Sequence, residues 1–114
     1  MYCLVEERDD VVVVSPRGEL DAETADDFQN QVDELLKAGW RYFVIDLHKV
    51  AFVDSSGLSA LVRLYKRVRI GEGDVRLAQV PPSVMKILEL TRLSRVFDIF
   101  STAEEATTSI KQQS

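Results

Sequence analysis

Short apolar runs and longer stretches of helical spacing follow one another along this chain. Runs rich in β-branched and aromatic residues predict strands over residues 2–6, 11–15, 42–47 and 75–80. Apolar positions at helical spacing predict helices that begin near residue 22, at residue 55 or 56, just beyond residue 82 and at residue 102. An apolar cluster over residues 93–100 predicts a short final extended segment, and residues 112–114 are expected to fray.

The order of these elements predicts an α/β fold with a mixed sheet. Residues 2–15 read as a hairpin, and the later strands alternate with helices, which requires crossover connections and parallel strands. The consecutive valines Val11 to Val14 are apolar on both faces of their strand, as expected for a strand covered on each side. The pattern therefore predicts a sheet of about four to five strands covered by about four helices.

Length and composition are typical of one soluble domain spanning residues 1–114. The chain has 114 residues, of which 46% are hydrophobic and 29% charged, and no stretch is apolar and long enough to cross a bilayer. The first residues lack the basic and then apolar order of a secretory signal, and Cys3 is the only cysteine, so no internal disulfide is expected. We expect a cytoplasmic protein without a membrane partner.

The net charge of −5 argues against broad binding to nucleic acid, which depends on Lys and Arg. One basic cluster exists in the helix that follows residue 56, formed by Arg63, Lys66, Arg67 and Arg69. These residues occupy polar positions and the last turns of that helix, where the helix dipole favours cations. The sequence favours a solvated helix face but leaves a local basic surface open.

A turn with two adjacent serines joins an apolar strand to this helix. A hydroxyl at a helix start can cap the unpaired N–H groups there, and a phosphate on it would meet the positive end of the helix dipole. Asp54 either caps the helix or orients the Ser55 hydroxyl, and Ser56 is either a competing cap or a second phosphate acceptor. We expect one of the two serines to be committed to the backbone. Gly57 lowers helix stability unless close approach by a partner or a flexible turn requires it, and function and packing explain this glycine equally well.

Other kinds of chemistry find little support in the sequence. His48 is the only histidine, so a Ser-His-Asp hydrolase would need it beside Ser55 or Ser56, and the chain has no Gly-x-Ser-x-Gly motif. One cysteine and one histidine do not form a usual zinc site, and no phosphate-binding Gly-x-x-x-x-Gly-Lys loop is present. We expect no metal, no cofactor and no catalytic residue.

The stretch from Ile45-Asp46-Leu47 to Val53-Asp54-Ser55-Ser56-Gly57-Leu58, together with Gly18-Glu19-Leu20-Asp21, resembles the STAS domain family, and most closely its bacterial anti-sigma factor antagonists. This resemblance implies that the chain binds an anti-sigma factor with serine kinase activity and so releases a sigma factor. It also implies that Ser55, directly after the motif aspartate, accepts the phosphate that switches binding off, and that a serine phosphatase removes it. The implied docking surface consists of Asp21, Asp54, Ser55, Ser56, Gly57 and Leu58.

Two alternatives stay open at this point. In the first, the same turn is a constitutive docking surface of a STAS-type subunit in a transport or signalling assembly, with no phospho-switch. In the second, the chain is a small hydrolase that uses His48. Asp21 has two compatible roles, as the N-cap of the first helix and as part of the implied partner-facing surface.

Overall fold

The computed structural model describes residues 1–111, which fold around a mixed β-sheet. The strands are β1 (Tyr2–Arg8), β2 (Val11–Leu20), β3 (Tyr42–Asp46), β4 (Val50–Val53), β5 (Asp74–Ala78) and β6 (Asp98–Phe100). The helices are α1 (Ala25–Lys37), α2 (Ser55–Ile70), α3 (Pro82–Leu90) and α4 (Ala103–Lys111). The predicted α/β class and the four helices are confirmed within this range.

Strand order along the sheet is β1-β2-β3-β5-β6. The β1–β2 hairpin is antiparallel as predicted, while the β2–β3, β3–β5 and β5–β6 pairs are parallel. Strand β4 lies off this path and pairs in parallel with the last residues of β2. The predicted four to five strands thus become six in residues 1–111. The sequence did not reveal β4 because that strand has only four residues, of which two are exposed.

The valines of the inner strand β2 are buried on both faces of the sheet. Val12 and Val14 lie in the larger core, whereas Val11 and Val13 lie in the smaller one that α4 covers. None of these valines is more than 3% exposed, which confirms the predicted two-sided burial. No helix within residues 1–111 combines the length and the apolar character needed to span a membrane.

Three predicted boundaries are wrong. Strand β2 continues to Leu20 rather than ending at residue 15, because residues 18–20 pair with β4. Helix α1 begins at Ala25 rather than near residue 22, because residues 21–24 form a separate turn. The extended segment predicted over residues 93–100 is a strand only in β6, since Leu93–Arg95 forms one turn of 3₁₀ helix and Val96 is 43% exposed. The predicted fraying of residues 112–114 falls outside the described residues.

Candidate functional site

The carboxyl ends of β2 and β4 lie side by side, and this arrangement creates the candidate site. Leu20 pairs with Val53 at the end of the two strands. One residue further on, the Asp54 amide donates to the Leu20 carbonyl at 3.2 Å. The turn that begins at Asp21 and the turn that begins at Asp54 therefore share one edge of the sheet, as expected for parallel strands in such folds.

Asp54 is the N-cap of α2. Its Oδ1 accepts a hydrogen bond of 3.0 Å from the Gly57 amide, which is otherwise an unpaired donor of the first helical turn. The capping role predicted for Asp54 is confirmed.

Neither Ser55 nor Ser56 is used for capping. Their hydroxyls form no hydrogen bond with any residue in the described range 1–111. The expectation that one serine is committed to the backbone is wrong, because the Asp54 carboxylate already occupies the cap position. Ser55 is exposed and Ser56 is half-buried, so the Ser55 hydroxyl is the more accessible of the two.

Gly57 is required by packing. A methyl group at its Cα would lie 2.2 Å from the Leu20 carbonyl oxygen and 2.9 Å from Cγ1 of Val53. Real Cβ atoms essentially never lie this close to a nonbonded atom, so α2 can approach the end of β2 this closely only with glycine here. This contact gives Gly57 a packing role within the fold, and it holds the Ser55 turn against the sheet.

Leu58 lies one residue beyond this contact. It is half-buried and packs against the larger core. The side chain thus anchors the first turn of α2 while leaving part of its surface open to a partner.

Asp21 holds the neighbouring turn. Its Oδ1 accepts hydrogen bonds from the amides of Glu23 at 3.0 Å and Thr24 at 3.2 Å. Thr24, not Asp21, is the N-cap residue of α1, so the predicted cap is wrong in position. Asp21 is half-buried and caps the preceding turn instead, a use typical of aspartate side chains.

His48 lies in the turn between β3 and β4. Its Nδ1 is 2.7 Å from Oδ1 of Asp46, which also accepts from the His48 amide at 3.1 Å. The other oxygen of Asp46 accepts from Gln79 Nε2 at 2.8 Å. No hydrogen bond within residues 1–111 joins His48 to Ser55 or Ser56, so the contacts of this histidine are those of a turn-stabilising residue.

A groove runs from Ser55 along α2 and has a volume of about 520 Å³. Its half-buried apolar residues are Leu58, Val62 and Leu93, and its exposed residues are Ser55, Ser59, Arg63, Lys66 and Thr91. The groove is not recognisable in the sequence, because Thr91 and Leu93 follow α3 and nothing in their local pattern places them beside Ser55. No cluster of three metal-ligating side chains occurs among the residues that the structure describes.

Comparison with known proteins agrees with this geometry. The family model of the STAS domain matches residues 2–106. The chain belongs to the STAS domain family. An anti-sigma F factor antagonist from Paenibacillus polymyxa is 29% identical over 102 residues, which cover 89% of this STAS chain and 87% of that relative. The crystal structure of an anti-sigma factor antagonist from Mycobacterium paratuberculosis matches with a TM-score of 0.88 and 30% identity, over 96% of this chain and 93% of that one.

The same STAS fold also occurs in the Bacillus cell fate determinant SpoIIAA. The structure of its phosphorylated form matches with a TM-score of 0.75 at 20% identity, covering 96% of this chain and 99% of that one. At this identity the match concerns the fold.

Proposed function

We propose that this STAS domain is an anti-sigma factor antagonist whose docking is switched off by phosphate on Ser55. In the unphosphorylated state it binds an anti-sigma factor that is also a serine kinase, and a sigma factor is released in the cytoplasm. A serine phosphatase restores the binding state. The chain itself performs no catalysis in this scheme, since kinase and phosphatase activity belong to its partners.

The observation that carries the proposal is the uncommitted Ser55 hydroxyl on a fixed turn. Asp54 caps α2, and Gly57 packs that helix against Leu20, so the turn is held without any contribution from the serine. A kinase can therefore modify the exposed hydroxyl without first breaking a hydrogen bond of the fold. Antagonist function in relatives supports the choice of partner class.

Local electrostatics explains why the phosphate would leave the fold intact but break a complex. Phosphate adds about −1.5 to −2 charges, and at the start of α2 it would meet the positive end of the helix dipole. The first turn of α2 contains no acidic residue, and the carboxylate of the adjacent Asp54 is already hydrogen-bonded to the Gly57 amide. Across an interface, by contrast, the added charge and its desolvation would cost several kcal/mol, and about 1.4 kcal/mol corresponds to a tenfold loss of affinity.

The proposed docking surface consists of Asp21, Asp54, Ser55, Ser56, Gly57 and Leu58. Asp21 and Asp54 hold the two turns, whereas Ser55 and part of Leu58 offer atoms that a partner can contact. Gly57 acts by bringing the turns together, because it is buried and has no side chain.

The site is tested by incubating wild type, Ser55→Ala, Ser56→Ala and Ser59→Ala with ATP and the serine kinases among the host's anti-sigma factors, followed by intact mass spectrometry. We expect a single phosphate on wild type, Ser56→Ala and Ser59→Ala, and none on Ser55→Ala. Phosphate retained by Ser55→Ala would overturn the assignment. A stable complex with no phosphate on wild type would favour the constitutive docking subunit.

A further inference from the structure

The groove beside Ser55 carries two cations that lack a partner in the fold. Arg67 pairs with Asp33 on α1, and Arg69 lies 3.5 Å from Asp74. Arg63 and Lys66, in contrast, form no ion pair with any residue in the described range 1–111, and both are exposed. Within residues 1–111, two cations of the basic cluster on α2 therefore form ion pairs, and the other two, Arg63 and Lys66, do not.

Neither cation forms an ion pair with another residue of α2. Arg63 and Lys66 are three residues apart and so are neighbours on the surface of α2, where like charges repel each other. They also line the same groove as Ser55. Two neighbouring cations without an ion-pair partner in residues 1–111, beside an open groove, complement an acidic ligand.

The apolar residues of the groove add a second condition. Leu58, Val62 and Leu93 are half-buried along its length, so a ligand that fills it must bury apolar side chains as well as present negative charge. A nucleic-acid backbone satisfies the charge but not this condition. A peptide segment that combines carboxylates with aliphatic side chains satisfies both.

We propose that this groove binds an acidic, partly aliphatic segment of the protein partner, with Arg63 and Lys66 recognising its carboxylates. The inference rests on the proposed function, to which it adds the chemistry of the partner surface. It also supplies a reason for the switch: Ser55 lines the same groove, so a phosphate there would repel the carboxylates that the cations attract.

The test is an NMR and fluorescence titration of the full chain with a short peptide of alternating Glu and Leu. The same peptide with Lys in place of Glu is the ligand control. We expect the Glu peptide to shift the amide signals of Leu58, Val62, Arg63 and Lys66, and its affinity to fall with rising salt. The double variant Arg63→Glu/Lys66→Glu should weaken binding about tenfold or more, a change that corresponds to about 1.4 kcal/mol.

Lys86→Glu is the matched control variant, because Lys86 is exposed on α3 but does not line the groove. Its affinity should equal that of wild type. Circular dichroism checks that each variant is folded, and Arg63→Gln/Lys66→Gln, which adds no negative charge, should give a smaller loss in the same direction. The inference is overturned if the Lys peptide binds as well as the Glu peptide, if neither binds, if a DNA oligonucleotide binds more tightly, or if Lys86→Glu weakens binding as much as the double variant.

Ser55→Asp separates this inference from the proposed function. If the double reversal weakens peptide binding but Ser55→Asp does not, the acidic ligand stands and the repulsive switch fails. The opposite result is also informative. If Ser55→Asp abolishes binding of the anti-sigma factor, the switch stands. If the double reversal nevertheless leaves both the peptide and the anti-sigma factor bound, recognition of an acidic segment by this groove is refuted.

Discussion

Gly57 and Gly73 perform the same steric task at opposite ends of the sheet. Each allows a backbone carbonyl to approach closely, since a methyl group on the glycine would lie 2.2 Å from the oxygen of Leu20 in one case and 1.8 Å from the oxygen of Arg41 in the other. Each carbonyl also accepts a hydrogen bond from the backbone amide of an aspartate. The Leu20 carbonyl accepts from Asp54 at 3.2 Å, and the Arg41 carbonyl accepts from Asp74 at 3.1 Å. Backbone geometry alone therefore does not distinguish a functional end of the sheet from a structural one.

The polar side chains distinguish the two ends. Beside Gly73, Asp74 is an ion-pair partner of buried Arg76 at 2.7 Å and lies 3.5 Å from Arg69. Beside Gly57, the Asp54 carboxylate caps the helix, but the adjacent Ser55 hydroxyl has no partner in residues 1–111. A polar side chain without a hydrogen-bond partner on a rigid turn is therefore a better indicator of a binding site than the close approach of a glycine to a carbonyl.

The largest losses of stability are expected when a side chain is added at either glycine. Gly57→Ala and Gly73→Ala should each lower the free energy of unfolding by about 1–3 kcal/mol, because the added methyl group meets a backbone carbonyl. Gly71→Ala is the control, since its methyl group would lie at an ordinary 3.6 Å from the nearest atom. Urea denaturation of the three variants measures the effect. Equal stability of Gly57→Ala and Gly71→Ala would contradict the packing role of Gly57.

Loss of the cap beside Gly57 is expected to have a smaller effect. Asp54→Ala should destabilise the chain by about 1 kcal/mol, because the Gly57 amide loses its acceptor. Asp54→Asn retains an amide oxygen in the same place and should lose at most a few tenths of a kcal/mol. The two variants are compared by thermal and urea unfolding. An Asn variant as unstable as the Ala variant would show that charge, rather than capping, is what Asp54 contributes.

The turn before α1 provides a comparison within the same edge. Asp21→Ala should lower the free energy of unfolding by about 0.5–1.5 kcal/mol, the usual contribution of a hydrogen bond. The amides of Glu23 and Thr24 lose their acceptor, but water can reach this partly exposed turn and replace some of the lost hydrogen bonding. Asp26→Ala, which removes an exposed first-turn carboxylate of α1, is the control and should cost less. A larger loss for Asp26→Ala in urea denaturation would contradict the role given to Asp21.

The smallest stability effects are predicted for the serines. Ser55→Ala and Ser56→Ala should stay within about 0.5 kcal/mol of wild type, since neither hydroxyl is bonded within the described residues. Ser55→Asp should also remain folded, because a negative charge is favourable at the start of α2. Destabilisation of Ser55→Ala by more than 1 kcal/mol in urea, on the order of a lost cap, would show that the hydroxyl supports the fold.

Features that depend on residues near one another in the sequence could be predicted, and features that depend on contacts between distant residues could not. The burial of Val11 to Val14 and the Asp54 cap could be predicted, because an unbroken apolar run and a capping residue before a helix are both visible in the local sequence. Strand β4 was missed because it is short and half-exposed, and its stability depends on pairing with distant residues of β2.

The same limit applies to the site. The Ser55 turn could be found from its motif, but the close approach of Gly57 to Leu20 is a contact across many residues. The separation of Arg63 and Lys66 from Arg67 and Arg69 is likewise invisible in the sequence, because it depends on where Asp33 and Asp74 lie in the fold.

The central claim is that phosphate on Ser55 abolishes docking while the fold stays intact. The most direct test is to produce the chain with phosphoserine at position 55 and to measure, on one sample, its urea stability and its affinity for the host's anti-sigma factor. We predict stability within about 1 kcal/mol of wild type, as expected for a charge at a helix N-terminus, and an affinity at least about tenfold lower. Unchanged affinity, or lost affinity accompanied by unfolding, would contradict the account.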